Sequence, residues 1–101
     1  MGTMTRVATT AELQPGQSKR VEVDGEPVAV FNIGGKFYAI HDTCVHRGGP
    51  LNEGTIEGTV VTCPWHGWEY DVAAGKCVTN PSAKIACYTV KVQGADIVVE
   101  S

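Results

Sequence analysis

Two short stretches of the chain each place a cysteine and a histidine close together. The first, CVHRGGPL, supplies Cys44 and His46, and the second, CPWHGWEYD, supplies Cys63 and His66. Sixteen residues separate His46 from Cys63. Thiolate sulfur and imidazole nitrogen bind zinc and iron well, so the two pairs together predict one metal centre held by two loops.

A set of two thiolates and two imidazoles suits two kinds of centre. One is a tetrahedral zinc ion that takes all four ligands, and the other is a [2Fe–2S] cluster in which two histidines replace two cysteines on one iron. The order Cys–His, Cys–His differs from that of a zinc finger, and no finger helix is predicted around the histidines. Gly48, Gly49 and Gly67 leave backbone N–H groups near the ligands without side-chain cover, which favours a cluster with hydrogen-bonded sulfides.

The elements that must position these ligands are short strands joined by turns. Seven segments alternate in polarity or are rich in β-branched and aromatic residues. They are RVEVDG (20–25), PVAVFNI (27–33), KFYAIH (36–41), GTVVTC (58–63), WEYDV (68–72), ACYTVKV (86–92) and ADIVVE (95–100). The pairs Gly34-Gly35 and Gln93-Gly94 predict hairpin turns, so the pattern indicates a small all-β sandwich or barrel.

Both Cys–His pairs fall in segments without a strand pattern, 42–57 and 63–68, which we expect to be the metal-binding loops. The one helical signal is TTAELQ over 9–14, and Pro15 and Gly16 end it after a single turn. The ligands are therefore expected at loop tips on a β scaffold.

Length and composition predict one globular domain over 1–101. Hydrophobic residues make up 43% of the chain and charged residues 19%, and the net charge of −3 gives no basic footprint for nucleic acid and no polybasic membrane anchor. No stretch approaches the roughly 18 consecutive apolar residues of a membrane-spanning helix. The start lacks the apolar segment of a secretion signal, so we expect a cytoplasmic, reducing setting in which cysteines bind metals before they form disulfides.

The two boxes resemble those of the Rieske iron–sulfur family, C-x-H and C-x-x-H with a gap of similar length. The stretches GGPL, HGWEYD and P-x-x-x-I-x-x-Y-x-V, the last over 81–90, resemble the same family. This resemblance implies the Rieske fold, an all-β antiparallel sandwich of three stacked sheets with a small two-loop cluster-binding subdomain. It also implies one [2Fe–2S] cluster, with Cys44 and Cys63 on the inner iron and His46 and His66 on the outer iron.

The chain departs from the high-potential Rieske subunits of respiratory complexes at three positions. Gly49 and Trp65 stand where those proteins carry a disulfide-forming cysteine pair. Trp68 stands where they carry a serine that bonds a bridging sulfide, although Tyr70 matches a family tyrosine that bonds a cysteine sulfur. Fewer donors to sulfur stabilise the added electron less, so we expect a reduction potential toward the low end of the family range of roughly −150 to +300 mV.

These features are similar to Rieske-type ferredoxins, soluble one-electron carriers that pass electrons from a flavoprotein ferredoxin reductase to a terminal, aromatic-ring-hydroxylating oxygenase. The second box also resembles the Rieske domain of the oxygenase itself. That enzyme needs a mononuclear iron held by two histidines and a carboxylate, and only His41 is left to supply it. We therefore expect an electron-transfer component rather than an enzyme, and the resemblance implies a monomer.

Two alternatives remain open at this point. The small subunit of an assimilatory nitrite reductase resembles this fold at similar length, although many such subunits have lost the ligands. A zinc-stabilised, non-redox binding module is the alternative from another functional class.

Several further residues are assigned to structural roles. His41 is expected on the surface or in a hydrogen bond, and Cys77 and Cys87 are expected to be free thiols. Trp65 is expected either to shield the cluster from water or to join a docking face, and Trp68 is expected to pack into the core.

Overall fold

The computed structural model describes residues 4–23, 25–42, 51–65, 67–80, 85 and 87–100. These residues form antiparallel strands without an α-helix, which confirms the all-β prediction. None of them forms a helix long and apolar enough to cross a membrane. The strands are β1 (Met4–Thr9), β2 (Ser18–Val23), β3 (Glu26–Ile33), β4 (Lys36–His41), β5 (Thr55–Glu57), β6 (Val60–Thr62), β7 (Glu69–Asp71), β8 (Lys76–Cys77), β9 (Cys87–Gln93) and β10 (Asp96–Glu100).

The larger sheet has six strands in the order β1-β10-β9-β4-β3-β2. Strand β9 pairs with β10 over five residue pairs, whereas among the described residues it meets β4 at two pairs, Ala39↔Tyr88 and Ile40↔Cys87. This short junction makes one sheet out of two three-stranded halves. The expected three sheets are therefore present as layers, with two of them continuous through β9.

The hairpin of β3 and β4 lies at the centre of the larger sheet. Gly34 and Gly35 connect the strands with φ values of 61° and 92°. Positive φ at both central residues defines the two-residue turn whose twist matches the flanking strands, and glycine adopts it without strain. The predicted hairpin over 27–41 is confirmed, and its far end, at Asp42, leads directly into the first predicted loop.

The smaller sheet has the order β5-β6-β7-β8 and carries the second predicted loop between β6 and β7. Ile56, Val61, Tyr70 and Cys77 pair in register across its four strands. Side chains alternate between the two faces of a strand, so these four share one face, and they belong to the hydrophobic core. These four paired residues fix the register of β6 and β7, and therefore the point at which the second predicted loop leaves the sheet.

The core consists of two clusters on opposite faces of β3 and β4. Ala29, Phe31 and Ile40 pack with the inward row of the smaller sheet, whereas Val28 and Val30 pack with residues of β1, β2 and β10. The central hairpin is thus covered on both faces, which explains why residues 28–32 are buried without interruption.

The sequence pattern misplaced several elements. It missed β1 and the two-residue β8, and it placed the last hairpin turn at Gln93-Gly94, whereas Gln93 pairs with Asp96 around Gly94 and Ala95. The single turn predicted over 9–14 is a hydrogen-bonded turn at the end of β1, in which Glu12 N donates to Thr9 O at 3.1 Å. A strand as short as β8 is fixed by its partner across the sheet, which local sequence does not report.

The expected irregular segment 42–57 is in part regular. Residues Leu51–Glu53 form a 3₁₀ turn and Thr55–Glu57 form β5. A three-residue strand has too few positions to show alternation, so pairing with β6 decides its conformation.

Candidate metal centre

Of the four predicted ligands, the structure describes Cys63, while Cys44, His46 and His66 lie outside the described residues. Cys63 directly follows β6 and has 1% of its surface exposed. It belongs to the same hydrophobic cluster as Tyr70 and Val61. A thiolate at this position would be shielded from water, as an inner ligand requires.

The second loop is a tight connection between β6 and β7. Cys63 N donates to Trp68 O at 2.7 Å, which extends the ladder one pair beyond Thr62 and Glu69. Gly67 N in turn donates to Cys63 O at 3.0 Å. Gly67 has a φ of 76°, which a residue with a Cβ adopts only under strain. Backbone hydrogen bonds therefore help to close this loop around Cys63.

The two tryptophans of this loop have different environments. Trp68 is half-buried and packs against the core cluster that contains Cys63, which confirms its predicted role. Trp65 is 61% exposed. Of the two roles expected for Trp65, this exposure favours a docking face, because a large exposed aromatic side chain beside a site gains free energy when a partner covers it.

The ends of the first loop meet at Asp42. Asp42 N donates to Pro27 O at 2.9 Å, one step beyond the last pair of β3 and β4. On the far side of 43–50, Leu51 N donates to Asp42 O at 2.8 Å, and Asn52 N donates to Asp42 Oδ1 at 2.7 Å. The chain that returns from the loop of Cys44 and His46 is thus hydrogen-bonded to Asp42, the residue directly before that loop.

Asp42 carries the one buried carboxyl group among the described residues, with 1% of its surface exposed. Burial raises the pKa of the Asp42 carboxyl, because the ionised form loses its hydration. The Asn52 backbone N–H and the positive charge of Arg20 oppose this shift, whereas the negative charge of Glu53 adds to it. Burial therefore disfavours the ionised Asp42 carboxyl group, whereas the Asn52 N–H and the charge of Arg20 stabilise it.

His41, Cys77 and Cys87 behave as predicted. His41 Nε2, at the end of β4, lies 3.3 Å from Glu26 Oε2, at the start of β3. Cys77 is buried, its Sγ accepts a hydrogen bond from Asn80 N at 3.4 Å, and Cys87 is exposed, both as free thiols. Within the described ranges, no group of three or more His, Cys, Asp or Glu side chains is arranged to hold a metal.

Sequence reasoning missed the part played by Asp42 and Asn52. The available signal was an aspartate directly after a strand pattern, with an asparagine just past the first box. Such a pair becomes meaningful only when the fold brings 42 and 52 together.

A family model for the Rieske [2Fe-2S] domain matches residues 3–99 of this chain. The chain belongs to the Rieske [2Fe–2S] family. It is 36% identical to the ferredoxin component of biphenyl 2,3-dioxygenase from Rhodococcus jostii, over 96% of this chain and 92% of that protein. It is also similar to the solved ferredoxin of carbazole 1,9a-dioxygenase from Nocardioides aromaticivorans, with 33% identity, 96% coverage of each chain and a TM-score of 0.90.

A third relative was solved in complex with an oxygenase. That structure is a complex of reduced oxygenase and oxidised ferredoxin in carbazole 1,9a-dioxygenase, with 35% identity, a TM-score of 0.87, and coverage of 95% of this chain and 91% of that one. A putative nitrite reductase small subunit from Mycobacterium tuberculosis has a TM-score of 0.94, with coverage of 100% and 96%, but only 21% identity. It therefore shares the fold alone, and the sequence relatives favour the ferredoxin interpretation over the nitrite reductase alternative.

Family membership gives the protein one Rieske-type [2Fe–2S] cluster, and the residues present fit it. The donor set offers two thiols and two imidazoles, which suits a cluster with two different irons. The described cysteine of the set is buried in an apolar cluster. The zinc-stabilised module finds no support in this family.

Proposed function

We propose that this protein is a one-electron carrier of the Rieske ferredoxin type. In this proposal Cys44 and Cys63 bind one iron, and His46 and His66 bind the other. The family match over 3–99 carries the proposal, because the aligned ferredoxin components are electron-transfer proteins of nearly the same length and not catalytic subunits.

When bound, the cluster takes up and releases one electron at a time. The protein's own residues make uptake of the electron favourable and leave the cluster accessible to a redox partner. Two neutral imidazoles in place of two thiolates make the ligand set less negative, so an added electron is repelled less. Burial of Cys63 keeps water from the inner side, while the histidines are expected to face a partner.

The proposed partners are a flavoprotein ferredoxin reductase, which donates the electron, and a terminal ring-hydroxylating oxygenase, which accepts it. Structures of related ferredoxins bound to an oxygenase support the second partner. Charge also supports docking to a basic face, because the described residues from 51 to 80 contain four acidic side chains and one lysine. They are Glu53, Glu57, Glu69, Asp71 and Lys76. Complementary charge speeds the encounter of transient redox partners.

Three further features complete the proposal. Residues 1–101 form one Rieske domain, and its cluster loops lie within 42–57 and 63–68. The protein works in the cytoplasm, where a reducing environment keeps Cys77 and Cys87 as thiols. It works as a monomer.

The ligand assignment is tested with three histidine variants of the anaerobically purified protein. His46→Ala and His66→Ala should each lose the Rieske EPR signal of the reduced cluster. The matched control is His41→Ala, which removes the remaining histidine and its contact with Glu26 but should keep the signal. An unchanged signal in either ligand variant would refute the assignment.

The electron-transfer role is tested by reconstitution. Wild-type protein should support NADH-dependent turnover when it is mixed with a flavoprotein reductase and an aromatic-ring-hydroxylating oxygenase that lacks its own ferredoxin. Failure with several such pairs, despite an intact cluster, would point to a different redox partner.

A further inference from the structure

We propose that Asp42 is a positioning residue for the metal centre, because it fastens together both ends of the loop that carries Cys44 and His46. This inference rests on the proposed ligand set. Asp42 is not one of the proposed ligands. We therefore predict that the EPR line width and the rate of loss of the cluster depend on a carboxylate outside the ligand set.

The first step is the closure of the loop. The structure describes the chain as far as Asp42 and again from Leu51, which donates its backbone N–H to Asp42 O at 2.8 Å. Asp42 is itself fixed in the sheet, because its N–H donates to Pro27 O at 2.9 Å. The returning chain is therefore attached to the end of the central hairpin and not to another loop.

The second step is the side-chain contact with Asn52. Asn52 N donates to Asp42 Oδ1 at 2.7 Å, a short bond to a charged acceptor. When the Asn52 amide is oriented with its nitrogen toward the carboxylate, Nδ2 lies 2.9 Å from Oδ1 and 3.0 Å from Oδ2. Asp42 thus accepts bonds from both the backbone and the side chain of one residue.

Strand β2 holds this pair from the other side. Arg20 Nε lies 3.6 Å from Asp42 Oδ2, and Ser18 Oγ donates to Asn52 O. Asn52 is therefore held through its N–H, its amide and its carbonyl. Such a set of contacts restricts the position of the returning chain more than one hydrogen bond would.

The third step concerns cost. Burying a carboxylate is unfavourable unless its oxygens are paired, and an apolar residue at this position would avoid that cost. Among the described residues, no buried side-chain nitrogen or oxygen atom lacks a hydrogen-bond partner. The buried carboxylate of Asp42, with its charge balanced by hydrogen bonds, fixes the position of residues 51–52 relative to Asp42. An apolar contact would fix that position less specifically, because it is not directional.

The consequence concerns the ligands. Cys44 lies two residues after Asp42, so freedom at the loop ends becomes freedom in the position of its sulfur. A cluster held by a looser loop is expected to show a wider spread of geometries and to be lost faster. Residues outside the ligand set influence the orientation of metal ligands in many proteins.

The variants are chosen to separate positioning from general stability. Asp42→Ala removes the carboxylate, and Asp42→Asn keeps the shape of the side chain but places an amide opposite the Asn52 side-chain amide. The double variant Asp42→Asn/Asn52→Asp restores a carboxylate opposite an amide. The control is Asn32→Ala, which removes another buried polar group at the opposite end of β3, where its Nδ2 donates to Leu13 O at 2.8 Å and its Oδ1 accepts from Gly35 N at 2.9 Å.

The readouts are the EPR line width of the reduced cluster, the rate at which iron and acid-labile sulfide are lost, and the melting temperature. We expect Asp42→Ala to lose its cluster about tenfold faster than wild type and to broaden the signal, because a buried charge-assisted hydrogen bond is lost. Asn32→Ala should lower the melting temperature but keep the wild-type line width and rate of loss. The double variant should recover most of what Asp42→Asn loses.

Equal line widths and equal rates of cluster loss in Asp42→Ala and Asn32→Ala would overturn the proposal. Should Asp42→Ala not fold, Asn52→Ala answers the same question, since it removes only the side-chain half of the contact; wild-type line width and loss rate in that variant would also overturn it. Failure of the ligand assignment would be seen separately, in the histidine variants, with Asp42 intact.

Discussion

The two predicted cluster loops are anchored by different kinds of interaction. The second loop continues the β6–β7 ladder, and backbone bonds among Cys63, Gly67 and Trp68 close it. The first loop also starts one pair beyond a ladder, at Asp42 and Pro27, but its far end is held by the Leu51 N–H on the Asp42 carbonyl and by Asn52 on the Asp42 carboxylate. A backbone ladder tolerates many side chains, whereas a side-chain anchor depends on particular residues. The first loop should therefore be the more sensitive of the two to substitution of residues that bind no iron.

The largest expected effect lies where Gly54, just before β5, packs against β6. A Cβ placed at Gly54 would lie 2.3 Å from Thr62 O and 2.9 Å from Val61 Cγ2. Gly54→Ala should therefore push the end of the first loop away from β6 and cost about 3 kcal/mol of unfolding free energy. Chemical denaturation followed by tryptophan fluorescence measures this loss.

The control for this prediction is Gly58→Ala. Gly58 lies in the turn between β5 and β6, at a φ of 62°, but a Cβ there would meet nothing within 4 Å. This variant should cost only the strain of a left-handed backbone, about 1 kcal/mol. Equal losses at the two positions would show that the space between Gly54 and β6 is not limiting.

The next effect compares the tryptophans of the second loop. Trp68→Ala removes a half-buried side chain from the core and should cost about 2 kcal/mol. Trp65→Ala removes an exposed side chain, so it should leave the melting temperature nearly unchanged and lower the rate of electron transfer to the oxygenase. Calorimetry and stopped-flow reduction separate the two outcomes. A large stability loss in Trp65→Ala with normal transfer would reverse these roles.

A smaller effect is expected at the turn of the second loop. Gly67 has a φ of 76° with open space around it, so Gly67→Ala should cost about 1 kcal/mol through backbone strain alone. Since the strain lies beside Cys63, the EPR line width should change, whereas the equally strained Gly58→Ala should leave it unchanged. Identical spectra in both variants would mean that the ladder absorbs the strain before it reaches the ligands.

The smallest effect tests the outer part of the Asp42 contact. Arg20 has 58% of its side chain exposed and lies 3.6 Å from the Asp42 carboxylate. Arg20→Ala should cost no more than about 1 kcal/mol, because solvent screens a half-exposed pair. Thermal unfolding at low and high salt measures it, and a loss larger than that of Asn52→Ala would place the main anchor on β2 instead.

How far the sequence predicts this molecule depends on the range of the interaction involved. The Gly34-Gly35 hairpin follows from local backbone chemistry, and the four ligand candidates follow from residue type and spacing. Strands β5 and β8 do not, because three and two residues carry no usable period and only their partners define them.

The anchor of the first loop was beyond sequence reasoning for a related reason. Asp42 and Asn52 are polar residues in a segment that reads as an ordinary loop. Their meaning lies in burial and mutual contact, which arise only after β2, β3 and β4 have assembled. Polar side chains whose role depends on tertiary contacts leave a weaker sequence signal than metal ligands, which residue type and spacing reveal.

The central claim is that two imidazoles and two thiolates hold one [2Fe–2S] cluster asymmetrically. Pulsed EPR of the reduced protein, carrying ¹⁵N-labelled histidine in an otherwise natural-abundance chain, measures the imidazole ligands directly. The account predicts strong coupling of the electron spin to two histidine nitrogens, reduced to one or lost altogether in His46→Ala and in His66→Ala. A reduced cluster without coupling to histidine nitrogen, or coupling that persists unchanged in both variants, would contradict it.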